Sequence, residues 1–114
     1  MADGVTTVGE LRDRVREFVR ARGWERFHGP KDLAIALSLE ASELLERFLW
    51  RTEADAVRLS AEELGALADE VADVVIYALS FCNATGLDLS EAILTKMEKN
   101  EERYPADRVR GVAP

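Results

Sequence analysis

The chain is poor in cysteine and histidine, with one residue of each in 114. A lone cysteine, Cys82, excludes an intrachain disulfide bond and favours a reducing, cytoplasmic setting. Its place in an apolar stretch is typical of a small core residue. The one histidine, His28, follows Glu25 at Glu-x-x-His spacing, but this single pair lies in the loop between the first two predicted helices and not within a helix. This argues against the alternative of a ferritin-like metal bundle, which binds iron through such pairs.

Long hydrophobic runs are also absent. The longest uncharged stretch, residues 74–87, is too short to span a bilayer, and the acidic N-terminus does not resemble a signal peptide. We therefore expect no membrane attachment. The net charge of −7 argues against an extended nucleic-acid surface. Arginines nevertheless crowd the first quarter of the chain, where we interpret them as a solvated helix face: Arg12, Arg14, Arg16, Arg20, Arg22 and Arg26.

No alternating strand pattern is present, and four helices account for nearly all of the sequence. Capping boxes at Thr7–Glu10 and Ser60–Glu63 and the capping residue Asp88 mark three helix starts, while Gly23, Gly86 and Pro105 mark helix ends. The predicted fold is an all-α bundle in one domain, residues 1–106, with a flexible tail at 107–114. The predicted helices cover about residues 8–22, 31–50, 61–84 and 89–104, with a polar connection at 51–59.

The third predicted helix is apolar on nearly every side. A helix that is apolar all round is normally buried all round, and three other helices of a short chain do not suffice to cover it. We therefore expect another subunit to pack against it. The residues responsible are Val71, Val74, Val75, Ile76, Ala78, Leu79, Phe81 and Cys82.

Two pairs of acids lie inside the apolar parts of the second and third helices: Glu40 with Glu43, and Glu70 with Asp73. Each pair is spaced i, i+3, so its members share one helix face. Four carboxylates facing a helical core would repel one another and would be costly to desolvate, and a bound cation would remove both penalties. Oxygen ligands alone favour magnesium or manganese. The alternative is two surface acid pairs with this spacing by chance.

These acids belong to a longer pattern that resembles the MazG-like all-α nucleotide pyrophosphohydrolases, in particular their dCTP pyrophosphatase branch. The resemblance extends over about residues 8–106. Besides E-x-x-E and E-x-x-D, it rests on the stretches W-E-R-F-H-G-P-K-D-L at residues 24–33, F-L-W-R at 48–51, D-V-V-I-Y at 73–77 and K-M-E-K-N-E-E-R-Y-P at 96–105.

The resemblance implies a four-helix, oligomeric MazG-like bundle that hydrolyses a nucleoside triphosphate to the monophosphate and pyrophosphate. The expected substrate is dCTP or a modified dCTP, and the expected role is cleansing of the nucleotide pool. Glu40, Glu43, Glu70 and Asp73 are the expected catalytic residues and ligands of Mg²⁺, with Mn²⁺ as a possible substitute. A homodimer or homotetramer is implied.

The resemblance also points to residues that would bind the nucleotide. Helix four can present a basic face to the phosphates, and flat aromatic rings can stack on a base. Val15 stands where the animal dCTP enzymes carry a histidine, so the preference for cytosine is the weakest part of the comparison. The expected substrate-binding residues are Trp24, His28, Trp50, Tyr77, Lys96, Asn100, Arg103 and Tyr104.

Two alternatives remain open at the level of sequence. The protein could be a catalytically silent nucleotide-binding protein, or a helical-bundle interaction protein of the same fold; the acids at all four motif positions argue against both. The preferred base, the carboxylate that acts as base, the number of metal ions and the choice between dimer and tetramer are not defined. Because Trp24 and Trp50 flank opposite ends of the second helix, we expect a site shared between two subunits.

Overall fold

A computed structural model describes residues 1–113, in which helices are joined by turns and loops. The predicted all-α fold is confirmed, with no strand among the described residues. Short 3-10 segments at Ala2–Gly4 and Glu25–Phe27 accompany the α-helices. The α-helices of the described residues are α1 (Val8–Ala21), α2 (Pro30–Glu46), α3 (Glu53–Ala56), α4 (Ala61–Thr85), α5 (Leu89–Arg103) and α6 (Ala106–Val109).

The helix starts follow the capping residues. Thr7 Oγ1 accepts a hydrogen bond from the Glu10 amide, and the Glu10 carboxylate accepts one from the Thr7 amide, which completes the predicted box. The second predicted box is half formed. Ser60 Oγ accepts from the Glu63 amide at 3.1 Å, but the Glu63 carboxylate accepts instead from Arg51 at 3.0 Å. A charged donor on a neighbouring segment therefore replaces the reciprocal backbone contact.

The predicted end of the second helix is wrong. α2 ends at Glu46, and the chain then turns until Trp50, which has a positive φ of 66°. The polar connection predicted for residues 51–59 contains α3, whose first turn is capped by the Thr52 hydroxyl on the Asp55 amide. Four residues are too few to show a hydrophobic period, so this helix could not be predicted from its pattern.

α6 begins at the predicted boundary between domain and tail and ends at Val109. The mobility of residues 107–114 stays a prediction, and Pro114 lies outside the described residues.

α4 is the central helix, and α1 and α2 pack against it. The core is small. Its buried apolar side chains are Val19 of α1, Leu33 of α2, and Leu79 and Cys82 of α4. Cys82 is therefore a buried core residue, as predicted. Residues 1–113 contain no helix that is both long enough and apolar enough to cross a membrane.

α5 stands apart from the other long helices. It makes few contacts with them, and all its side chains except Leu89 and Asn100 are exposed. The radius of gyration is 17.1 Å, whereas a globular domain of this length has about 13 Å. On α4, Val71, Val75 and Ile76 are between 42% and 47% exposed. One chain alone therefore leaves much apolar helix surface uncovered.

Candidate metal centre

Three of the four predicted acids come together between α2 and α4. The two helices run antiparallel, since Arg47 pairs with Glu70 while the later Arg51 pairs with the earlier Glu63. One carboxylate oxygen from each of Glu40, Glu43 and Glu70 lies within 4.8 Å of the others. We call these three residues the acid cluster. The structure thus brings three of the four predicted acids together, and their role as metal ligands stays a prediction.

Asp73 lies one helical turn beyond Glu70 on α4 and is exposed. It does not belong to the close group of three, but its negative charge acts on Glu40. Tyr77, one further turn along α4, is half-buried. The stripe Glu70, Asp73, Tyr77 therefore runs along a single face of α4, as the spacing predicts.

Two carboxylate oxygens of the acid cluster are buried without a hydrogen-bond partner among the described residues: Glu40 Oε2 and Glu70 Oε2. Buried polar atoms are normally satisfied, and leaving one unpaired is costly. A divalent cation with hard-ligand preference would satisfy both, because it binds carboxylate oxygens directly. The residues present therefore fit a magnesium-type ion.

Arg47 is a member of the site to which the sequence assigned no role. Its Nη2 donates to Glu70 Oε1 at 3.2 Å, so it neutralises part of the acid cluster. The sequence spacing could have identified Arg47, because it lies one turn beyond Glu43 and on the same helix face as Glu40. The contact uses Glu70 Oε1 alone, so Glu70 Oε2, which has no partner among the described residues, is left for a metal.

The crowding of carboxylates changes the acidity of Glu40. Its pKa is raised to about 7, chiefly by a hydrogen bond with the Glu43 carboxyl group. Burial adds to this shift, as do the negative charges of Glu43, Asp73 and Glu70. Near neutral pH the metal-free cluster therefore holds a proton that a bound cation would displace.

This raised pKa predicts that the metal-free protein loses stability as the pH rises. Glu40 binds its proton more tightly in the folded than in the unfolded chain, so its stabilising contribution is complete below about pH 4.5 and is lost as the pH rises through about 7. In chelator, the melting temperature should fall between pH 5 and pH 8, and Glu40→Gln should flatten that fall. An equally steep fall in the variant would assign the pH dependence to other groups.

The other predicted site residues do not join the acid cluster within one chain. Trp24 is 44% exposed and packs edge-to-face on Phe18, with ring centroids 5.8 Å apart. Trp50 is fully exposed in the turn after α2. His28 lines a separate cleft beside α1.

The predicted residues of α5 and its end are also placed away from the acids. Lys96 and Arg103 are exposed, and the Arg103 guanidinium lies over the Tyr104 ring at 5.3 Å. Asn100 and Tyr104 line a shallow cleft with Val109 and Val112. Because α5 has few contacts with α2 and α4, one chain does not bring this basic face to the acid cluster.

Comparison with known proteins agrees with this geometry. The sequence model of the MazG-like family matches residues 35–113. The chain is 37% identical over 109 residues to dCTP pyrophosphatase 1 of Rattus norvegicus, which covers 94% of this chain and 64% of that protein. It is 39% identical over 106 residues to dCTP pyrophosphatase 1 of Homo sapiens, covering 91% of this chain and 62% of that protein. The chain thus spans less than two thirds of the length of these relatives.

The fold has a solved counterpart. The crystal structure of a pyrophosphatase from Archaeoglobus fulgidus superposes with a TM-score of 0.80 at 43% sequence identity, over 85% of this chain and 91% of that chain. The family match includes both acid pairs, and the structural match extends over most of the helices that position them. This chain belongs to the MazG-like family.

Proposed function

We propose that the protein is a divalent-metal-dependent nucleoside triphosphate pyrophosphohydrolase that converts dCTP, or a modified dCTP, to the monophosphate and pyrophosphate. The observation that carries the proposal is the acid cluster, with its two buried carboxylate oxygens that no donor within residues 1–113 satisfies. The names of the relatives, dCTP pyrophosphatase 1 and a pyrophosphatase, support the same reaction.

Glu40, Glu43, Glu70 and Asp73 are the residues that would hold Mg²⁺, or Mn²⁺ in its place. When bound, such an ion neutralises triphosphate oxygens and lowers the pKa of a coordinated water. The chain itself contributes positioning, because the two packed helices fix the carboxylates relative to one another. One of these carboxylates would accept the proton of the attacking water as the bond between the α-phosphorus and the bridging oxygen breaks.

The substrate contacts are proposed from the family pattern. Lys96, Asn100 and Arg103 would contact phosphate or sugar, because they share one face of α5. The remaining contacts would come from aromatic and polar side chains near the base. Val15 is apolar and cannot donate a hydrogen bond to the base. These contacts are Trp24, His28, Trp50, Tyr77 and Tyr104.

We propose further that the site is completed by a second copy of the chain, in a homodimer or homotetramer. The exposed apolar side chains of α4 and the isolated α5 support this, since both need a partner to be covered. The predicted aromatic and basic residues also need a second subunit to reach the acid cluster. No nucleic-acid partner is expected, and a cytoplasmic location stays a prediction.

The reaction can be tested by product analysis. With dCTP and Mg²⁺ we expect chromatography to show dCMP and pyrophosphate, with no accumulation of dCDP, and we expect chelator to stop turnover. A panel of canonical and modified deoxynucleotides would rank the bases. Accumulation of diphosphate and orthophosphate would indicate another reaction class, and binding without turnover would indicate the catalytically silent alternative.

A further inference from the structure

Trp50 has the least usual backbone conformation within residues 1–113. With a φ of 66°, it is the one described residue other than glycine whose φ is positive. This region crowds the Cβ atom of an L-residue against its own chain, so it is normally occupied by glycine. The Trp50 ring is fully exposed and gains no packing from its own subunit that would offset this cost. Contacts of neighbouring residues must therefore hold the turn.

Arg51, the next residue, makes such contacts. Its Nη1 donates to Glu63 Oε2 at 3.0 Å, and its Nη2 donates to the carbonyl oxygen of Asp55 at 3.0 Å. Its backbone amide donates to the carbonyl oxygen of Phe48 at 3.1 Å, within the turn that follows α2. One residue therefore joins this turn to both α3 and the first turn of α4.

These contacts depend on the shape of the guanidinium group. Two terminal nitrogens of one planar group reach two acceptors on different helices, whereas lysine has a single nitrogen at the end of its stem. The ion pair with Glu63 is partly exposed and contributes little by itself. The second bond, to a backbone carbonyl oxygen, fixes the direction of the side chain as well.

Arg51 lies away from the acid cluster. Its partner Glu63 precedes Glu70 by seven residues on α4, which corresponds to about 10 Å along the helix axis. The residue beside Arg51 that the proposed function uses is Trp50, the exposed aromatic ring expected to stack on a base. The contacts of Arg51 are thus placed to act on that ring and not on the metal ligands.

We propose that Arg51 is a positioning residue for nucleotide binding. It holds the turn so that Trp50 projects away from its own chain, ready to stack on a base in the site of the neighbouring subunit. A ring that is already held in place loses less conformational entropy when the nucleotide binds. The inference rests on the proposed function, because it takes Trp50 as a base-stacking residue of a shared site.

The first test measures KM and kcat for dCTP with Mg²⁺. Arg51→Gln should raise KM by about fivefold and change kcat by less than about twofold, because it loosens a binding contact and leaves the acids unchanged. Glu63→Ala should raise KM in the same direction. The matched controls are Arg58→Gln and Glu62→Ala, which remove the same charges from exposed side chains without an ion pair in residues 1–113. An equal rise of KM in the controls would mean that only net charge matters, and would overturn the proposal.

A substitution that acts through the Trp50 ring must lose its effect when the ring is absent. In the Trp50→Ala background, Arg51→Gln should leave KM unchanged, whereas in the Trp50→Phe background, which keeps a ring, it should raise KM again. An undiminished rise in the Trp50→Ala background would show that Arg51 contacts the substrate directly, and would overturn the proposal. A lower melting temperature of Arg51→Gln with an unchanged KM would assign it a role in stability alone, with the same consequence.

The position of the ring can also be followed without turnover. In protein labelled with fluorotryptophan, fluorine NMR should give one signal for Trp24 and one for Trp50, assigned with Trp50→Ala. Arg51→Gln should shift and narrow the Trp50 signal, as the ring gains freedom, and should leave the Trp24 signal unchanged. An unaltered Trp50 signal would overturn the proposal even if the parent chain hydrolyses dCTP.

Titration of the labelled protein with a dCTP analogue that carries an imido bridge between the α- and β-phosphorus gives a dissociation constant. This constant replaces KM in the same comparisons if dCTP is not hydrolysed, so failure of the proposed reaction and failure of the role of Arg51 give different results. We expect the analogue to shift the Trp50 signal in a saturable manner. A Trp50 signal that does not respond to the analogue would overturn the proposal.

Discussion

Glu43→Gln should abolish dCTP hydrolysis, lowering kcat/KM by at least about a hundredfold, because it removes one of the proposed oxygen ligands of the metal. Asp73→Asn should act in the same direction. The matched control is Glu46→Gln, which makes the same change one turn further along α2 at an exposed position. Steady-state kinetics with Mg²⁺ would measure the effect, and the control should retain nearly full activity.

The loss should not come from unfolding. Glu43 is exposed and lies in a cluster of like charges, so its neutralisation relieves repulsion in the metal-free protein. The melting temperature of Glu43→Gln in chelator should therefore equal or exceed that of the parent chain, with unchanged helical circular dichroism. A variant that keeps its activity, or one that loses both fold and activity, would contradict the role given to the acid cluster.

At a dCTP concentration well below KM, mixing an acid-dead variant with a variant of weakened affinity should restore activity, if the site is shared between subunits. Trp24 and Trp50 flank the two ends of α2, a helix of 17 residues and hence about 25 Å. They cannot contact one base from the same chain. Trp50→Ala should weaken nucleotide affinity by roughly 1–3 kcal/mol through loss of a stacking ring. Asp73→Asn supplies the partner that lacks an acid but keeps its tryptophan.

In a dimer with random exchange of subunits, half of the dimers contain one subunit of each variant. Each mixed dimer has two sites: one combines the unaltered acids with the unaltered tryptophan, and the other carries both substitutions. About a quarter of the parent activity should then return, since closed symmetry pairs each site with its neighbour. Light scattering should report a dimer or tetramer, and a labelled partner should show that subunits exchange. A stable monomer at micromolar concentration, or no recovery despite exchange, would mean that each site is built within one chain.

The features that could be predicted from the sequence are those encoded by local contacts. Thr7, Ser60 and Asp88 cap their helices through their own side chains, and Gly86 ends α4 in the left-handed conformation at a φ of 76°. The shared helix face of each acid pair was also predictable, because a spacing of i, i+3 fixes it once the helix is known, whereas the meeting of the two faces was expected from the family resemblance.

The features that were missed depend on contacts between segments. Arg51 draws the Glu63 carboxylate away from its capping position, and Arg47 reaches Glu70 across two helices. α2 ends early although residues 47–50 include apolar side chains that suit a helix, because the chain turns there into the left-handed conformation of Trp50. The arginines of α1, interpreted as a solvated face, in part bind Asn83 on α4. None of these partners is defined by a local pattern.

We propose that water attacks the α-phosphorus of a nucleoside triphosphate held at the acid cluster. The most direct measurement is hydrolysis of dCTP in water enriched in heavy oxygen, with mass spectrometry of both products. We predict that the label enters dCMP alone and that pyrophosphate leaves unlabelled. Label in pyrophosphate would place the attack on the β-phosphorus, and release of labelled orthophosphate with dCDP would place it on the γ-phosphorus. Either result would rule out attack on the α-phosphorus.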